Sequence, residues 1–277
     1  MDKQLKIISY GGGVQSTALI VLAIQKKIDF DFALFSNVGD DSETPGTLEY
    51  IRNVIRPYCE KYNFLIYETK KTGRNNVESL TLLQKHKEGI ARNGSTPLPV
   101  KMIGNGRGGI ANRTCTVEWK AKPITKHIKS LLGKKPEQPA ILAIGISTDE
   151  YHRANNKHDN LWESRAFPLL DLNLSRLDCE NIIKAAGLPV PPKSACWFCP
   201  FNSSTTWAEI RRDDPERFEA TAQLEEEMTE ARLKNGKFPF YWTHKPFPMR
   251  DIIGTQSETL FDDYDGHQGC DEGHCWT

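Results

Sequence analysis

The N-terminal twenty-odd residues constrain this chain most. Residues 5–10, Leu-Lys-Ile-Ile-Ser-Tyr, are largely β-branched and apolar and predict a buried strand. Gly11-Gly12-Gly13 follow at once, and Val14-Gln15-Ser16-Thr17 then lead into ALIVLAIQKK, an apolar stretch of helical length. Strand, glycine turn and helix in direct succession is the opening of a βα unit, and parallel strands need such crossover helices. The pattern continues. FDFALFSNVG (30–39) predicts a second strand, residues 44–63 a helix, FLIYETKK (64–71) a third strand, and residues 75–87 show helical spacing. Residues 117–132 predict a further helix and AILAIGIS (140–147) a central strand. SRLDCENIIKAAGL (175–188) carries a Ser N-cap and a closing Gly. Alternating elements of this kind predict an α/β fold: a twisted, mainly parallel five-stranded sheet with helices on both faces.

Composition narrows the partners. The 277 residues hold 36 Lys and Arg against 36 Asp and Glu, which excludes a generally basic nucleic-acid coat and an acidic disordered tail. No run approaches the roughly 18 apolar residues of a membrane span, and the N-terminal apolar stretch is too short for a signal peptide. A cytoplasmic protein without a membrane partner is expected. Two regions are predicted: residues 1–190 as the α/β domain, and 191–277 as a Cys-containing helical and irregular region packing over its site. Within the first, residues 88–113 break the helical pattern with Pro97, Pro99 and many glycines, and predict a long functional loop. Asp214-Pro215 predicts the start of a charged helix that ends near Gly236.

The glycine turn carries the first candidate chemistry. Glycines let the backbone approach a phosphate, and the helix N-terminus adds unpaired N–H groups and a positive dipole end. Ser16 and Thr17 add hydroxyls. No Lys follows the glycines, so this is not a Walker A loop, and Ser16 stands where a G-x-G-x-x-G turn needs its third glycine. The alternative is a tight turn whose glycines serve packing alone.

Gly11-Gly12-Gly13-Val14-Gln15-Ser16 resembles the S-G-G-x-D-S loop of the PP-loop adenine nucleotide α-hydrolases, with Gly11 for the first Ser and Gln15 for Asp. Gln15 is similar to the corresponding residue of many phosphoadenylylsulfate (PAPS) reductases in the same superfamily. Asn37-Val38-Gly39 with Glu43-Thr44 is similar to the family's D-T-G…E-T segment. Gly145-Ile146-Ser147-Thr148-Asp149-Glu150-Tyr151-His152-Arg153 is similar to its G-I-x-x-x-E-x-x-R element. The resemblance spans about residues 5–200. It implies a nucleotide, ATP (with Mg) or an adenylylsulfate, held by Ser9, Gly11, Gly12, Gly13, Gln15, Ser16, Thr17, Asn37, Gly145, Glu150 and Arg153. Gln15, Ser16 and Arg153 are its expected catalytic residues. Arg153 would neutralise phosphate or sulfate oxygens; the alternative is a surface salt bridge to Glu150.

Seven cysteines, an odd count, point away from a disulfide framework and toward metal or thiol chemistry. Cys196-Trp197-Phe198-Cys199 is a C-x-x-C, and Cys115 lies upstream. Three thiolates are one short of a closed zinc site but enough for a [4Fe-4S] cluster with one open iron. Zinc and a redox dithiol at 196 and 199 remain alternatives. The spacing is similar to that of adenylylsulfate reductases, with Thr116 replacing the second cysteine of the first pair, and Lys120-Ala121-Lys122-Pro123-Ile124 is similar to the K-x-x-P-L that follows it. The family's RNA-thiolating branch has three cysteines and an open iron. The resemblance thus implies sulfur transfer, with a nucleic-acid acceptor and a sulfur- or thiol-donor protein among the partners; a homo-oligomer is also left open. In the tail, Cys270, His274 and Cys275 leave two readings: Cys275 as a mobile nucleophile on the sulfate sulfur, as in sulfonucleotide reductases, or a metal pair with His267 or His274. The reductase's E-C-G-L-H motif is absent. Arg107, Arg113, Lys120, Lys122, Lys126 and Lys129 form a basic stretch that would line a nucleic-acid groove or serve as a solvated helix face. A non-catalytic nucleotide-binding subunit is the third functional alternative.

Overall fold

The computed structural model describes residues 4–104, 107–155, 159–243 and 245–254. In chain order the elements are β1 (Lys6–Tyr10), α1 (Val14–Ile24), β2 (Phe32–Asn37), α2 (Pro45–Tyr50), α3 (Arg56–Lys61), β3 (Leu65–Lys70), α4 (Leu82–Asn93), β4 (Lys101–Gly104) and β5 (Arg107–Ile110). There follow α5 (Lys122–Leu132), β6 (Ala140–Ala143), β7 (Glu163–Ala166), α6 (Pro168–Asp171), α7 (Arg176–Ala185), α8 (Ser204–Asp213), α9 (Pro215–Lys234), β8 (Phe240–Tyr241) and α10 (Met249–Ile252). The described chain divides into two compact units. One takes the residues up to Ser79 and Glu118–Ala195; the other takes Leu80–Val117 and residues 196–254.

The first unit is an α/β fold built on a five-stranded, all-parallel sheet in the order β3-β2-β1-β6-β7. Alternation along the strands feeds two cores. Ile8, Tyr10, Ala33, Phe35 and Ala143 pack on one face with Leu19 and Leu22 of α1 and Cys179 and Ile183 of α7. Ile7, Leu34 and Leu142 pack on the other with Ile124 and Ile128 of α5. Helices therefore cover both faces, as the near-continuous apolar strands require. Helix α1 is buried along its length, from Val14 to Ala23, which explains why its apolar residues run all the way round. The strand order turns back between β1 and β6. In open parallel sheets the crevice at such a switch point, beyond the strands' carboxyl ends, is where ligands bind. The fifth strand, β7, escapes a pattern-based reading because Glu-Ser-Arg-Ala has no apolar run.

The second unit corrects the expected domain plan. Residues 88–113 are not a long loop. Helix α4 starts at a Thr81–Gln84 capping box and runs to Asn93, and Gly94 closes it in the left-handed region at φ +68°. Then β4 and β5 form an antiparallel hairpin, and β4 also pairs with β8. Four-residue strands rich in glycine leave no readable period, which is why the segment looked irregular. His86, Leu98, Val100 and Lys101 are buried within this unit, with His86 stacked on Phe198 and edge-on to Trp242. The break expected at 190/191 lies at 195/196. Tyr50 Oη donates to the Pro189 carbonyl (2.8 Å), and Thr44 N and Oγ1 donate to that of Ala195 (3.0 and 2.7 Å), which holds residues 189–195 to the first unit. A unit assembled from two separate stretches of chain leaves no single boundary in composition. Among the described residues, no helix is long and apolar enough to cross a membrane.

Candidate functional site

The glycine turn sits at the switch point. Gly13 caps α1 without a side-chain hydrogen bond, and no acidic residue stands in the first turn. The positive end of the helix dipole is therefore uncompensated locally. The Ser16 hydroxyl accepts from Gly11 N (3.3 Å) and donates to the Gly13 carbonyl (3.1 Å), holding the turn in shape. Ser194 Oγ donates to the Gly11 carbonyl from the far side. Gly12 has φ +78°, and a Cβ there would stand 2.8 Å from Thr47 Cγ2. Gly145, just after β6, faces the turn directly: a Cβ on it would stand 2.9 Å from Ser16 N. The glycines at 12 and 145 are thus dictated by close approach. At Gly11 a Cβ would meet nothing within 4 Å.

Not every expected ligand faces this turn. Thr17 is fully buried; its hydroxyl pairs with Tyr10 Oη (3.4 Å) and its N–H donates to the Gly13 carbonyl (3.0 Å). Helix geometry points it into the core, so it leaves the set of phosphate ligands. Asn37 is committed locally: Nδ2 donates to Asp40 (2.7 Å) and Glu68 (2.9 Å), and Oδ1 accepts from Gly39 N (2.8 Å). Ser9 is buried with its Oγ unpartnered among the described residues. The Arg153–Glu150 salt bridge is made (2.6 Å), but it is not on the surface: the side chains are 3% and 7% exposed. Among the described residues, Arg153 Nε is buried without a hydrogen-bond partner. An anion there would share a guanidinium already matched by a carboxylate, while the pair's burial demands full hydrogen bonding.

Two residues at the turn were not anticipated. Arg176, the first residue of α7, extends Nη1 to Gln15 Oε1 (3.4 Å). Its backbone N–H donates to Asp149 Oδ2 (2.5 Å), which also accepts from Ser147 Oγ (3.2 Å). Ser194 is the other. The Ser175 cap announces the helix that carries Arg176, but which helix packs against α1 is a tertiary fact. Glu43, near β2, is fully buried; desolvation holds its carboxyl above the usual range against the opposing pull of Lys120. Three lysines of the basic stretch have partners in this unit. Lys122 pairs with Glu118, Lys126 donates to Thr72 Oγ1 (2.5 Å), and Lys129 lies over the Trp162 ring (3.7 Å).

In the second unit, Cys196 and Cys199 close a turn, with Cys199 N donating to the Cys196 carbonyl (3.1 Å); each is 8% exposed. Cys115, half-buried, is anchored by its N–H to the Pro97 carbonyl (3.0 Å). The two cysteine segments meet. Arg113 lies over the Phe201 ring (5.0 Å), and Lys101 Nζ donates to the Pro200 carbonyl (3.1 Å). Arg217 Nε donates to the Trp197 carbonyl (3.0 Å). Two buried donors here, Arg113 Nη2 and Asn202 Nδ2, have no hydrogen-bond partner among the described residues. Unpaired buried donors on the segments that carry the cysteines suit an anionic group. Among the described residues, no three His, Cys, Asp or Glu are placed to hold one metal ion. Cys270, Cys275, His267 and His274 lie outside the described residues.

The chain matches no protein-family model and no curated protein.

Proposed function

We propose that the chain is a PP-loop-type enzyme that binds ATP or a related adenylyl nucleotide at the glycine turn, acts at the α-phosphate, and couples this to sulfur transfer. The observation that carries the reading is the approach of Gly145 to Ser16 N at the switch point of the parallel sheet, beside an uncapped helix N-terminus. A backbone-lined turn in the place where α/β sheets take nucleotides supports reading it as an anion cradle. Gly11, Gly12, Gly13, Gln15 and Ser16 hold phosphates in this reading. An acceptor oxygen attacks the α-phosphorus and pyrophosphate leaves; a sulfur nucleophile then displaces AMP. Cys115, Cys196 and Cys199 would hold an iron–sulfur cluster, which when bound supplies the sulfur handling. A nucleic acid is the acceptor class that the family resemblance suggests.

A second reading, sulfonucleotide reduction with sulfite release, draws support from an amide at position 15 in place of a carboxylate. A third, nucleotide binding without turnover, draws support from the buried Arg153–Glu150 pair. One experiment separates them. Protein purified without oxygen is assayed for iron, sulfide and zinc and then offered ATP and adenylylsulfates separately. Pyrophosphate release from ATP supports the leading reading, sulfite release the second, and binding without turnover the third. Cys115→Ala, Cys196→Ala and Cys199→Ala should each lose the same iron; full retention in Cys115→Ala refutes the grouping.

A further inference from the structure

Gln15 and Arg176 together determine what the mouth of the turn can recognise. An amide side chain has a carbonyl acceptor at one end of its fork and an NH2 donor at the other, whereas a guanidinium only donates. The group of Gln15 that faces Arg176 Nη1 must therefore be the oxygen. The NH2 is then turned away from Arg176, and among the described residues it has no partner. Gln15 is the second residue of α1, so this donor adds to the N–H groups of the helix's first turn.

Arg176 is held where this requires. Its own backbone is fixed by Asp149, which Ser147 braces in turn, so the segment after β6, the start of α7 and the start of α1 are joined by consecutive hydrogen bonds. The guanidinium is loosely matched elsewhere: Glu180 Oε1 stands 3.6 Å from Nε, and Glu180 also faces Lys184. With 36% of its side chain exposed, Arg176 is not an interior strut. A carboxylate at position 15 would attract a divalent cation. A glutamine whose neutral oxygen already accepts from an arginine is a far poorer cation ligand than a carboxylate, and its NH2 offers an anion two N–H bonds.

We infer that Arg176 is a positioning residue for Gln15, and that the pair makes the turn a binder of metal-free anionic nucleotide tails, phosphate or sulfate, rather than of a metal chelate. This rests on the proposed reading of the turn as a nucleotide site. The test is calorimetric titration of the full chain with ATP and with adenosine 5′-phosphosulfate, each in EDTA and in excess Mg²⁺. Free ATP should bind at least as tightly as its Mg²⁺ complex. Arg176→Met and Gln15→Leu should each weaken binding about tenfold, and the double variant should be little worse than either, because both remove one oriented donor. Arg176→Lys, which still only donates, should recover most of the loss. Circular dichroism and thermal melts confirm that each variant folds. A tenfold tightening of wild-type binding by Mg²⁺, additive losses in the double variant, or an unaffected Arg176→Met overturns the inference while leaving the nucleotide site standing. A wild-type protein that binds neither nucleotide overturns both.

Discussion

Gly145→Ala tests the geometry on which the site depends. The new methyl would lie 2.9 Å from Ser16 N, 3.2 Å from Gln15 C and 3.2 Å from Gln15 Cβ. The shortest of these is roughly half an ångström inside ordinary contact, and two of the three atoms are backbone, so no side-chain rotation relieves it. Either α1 or the segment after β6 must move, yet α1 is buried along its length and β6 is hydrogen-bonded to β1 and β7. Overpacking of this kind costs about 1–3 kcal/mol. Replacing Gly by Ala restricts the unfolded chain and returns about 0.4–1 kcal/mol. A net loss of about 1–2 kcal/mol is expected, read as a lower urea midpoint at unchanged slope. Amide exchange should quicken in the peptide covering residues 6–24. Gly11→Ser is the matched control. Its Cβ meets open space, so it should stay within about 0.5 kcal/mol of wild type. If Gly145→Ala is as stable as wild type, or Gly11→Ser is the more damaging, the close approach is not what holds glycine at 145.

Two further outcomes follow from burial. Glu225 accepts from Trp242 N and Met249 N (2.7 Å each), but desolvation, reinforced by Glu226 and Asp251, pushes its carboxyl up to about 7. The folded state therefore holds an extra proton between the ordinary carboxylate range and about pH 7, so stability should fall as pH rises through that window and level off above it. Glu225→Gln should abolish this dependence and, by setting an NH2 against a backbone N–H, cost about 1–3 kcal/mol at low pH; an unchanged pH profile in denaturant melts refutes the assignment. Burial pushes the Cys59 and Cys179 thiols up to about 12, while Cys115 is half-buried. In protein stripped of metals, iodoacetamide should modify Cys115 well before either, as mass spectrometry of native-state digests would show; equal labelling of Cys59 contradicts the packing.

Local patterns in the chain were enough to read the βα opening, the Ser175 and Asp214 helix starts and four of the five parallel strands, because period, caps and glycine turns act over a few residues. Gly12 could be picked out as a turn glycine in the same way, whereas Gly145 was marked only by the family resemblance. What lies beyond that reach came from packing. The β4–β5 hairpin and β7 carry no apolar period of their own and exist through their partners. Thr17 looked like a phosphate ligand until the rotation of α1 turned it against Tyr10. Arg153 and Glu150, three residues apart, were legible as a pair, but their burial was not. Arg176 reaches Gln15 across 161 residues of chain. Hydrogen bonds and close contacts between such distant residues depend on how helices settle on the sheet, and that is an energy summed over the whole core rather than a property of any one stretch.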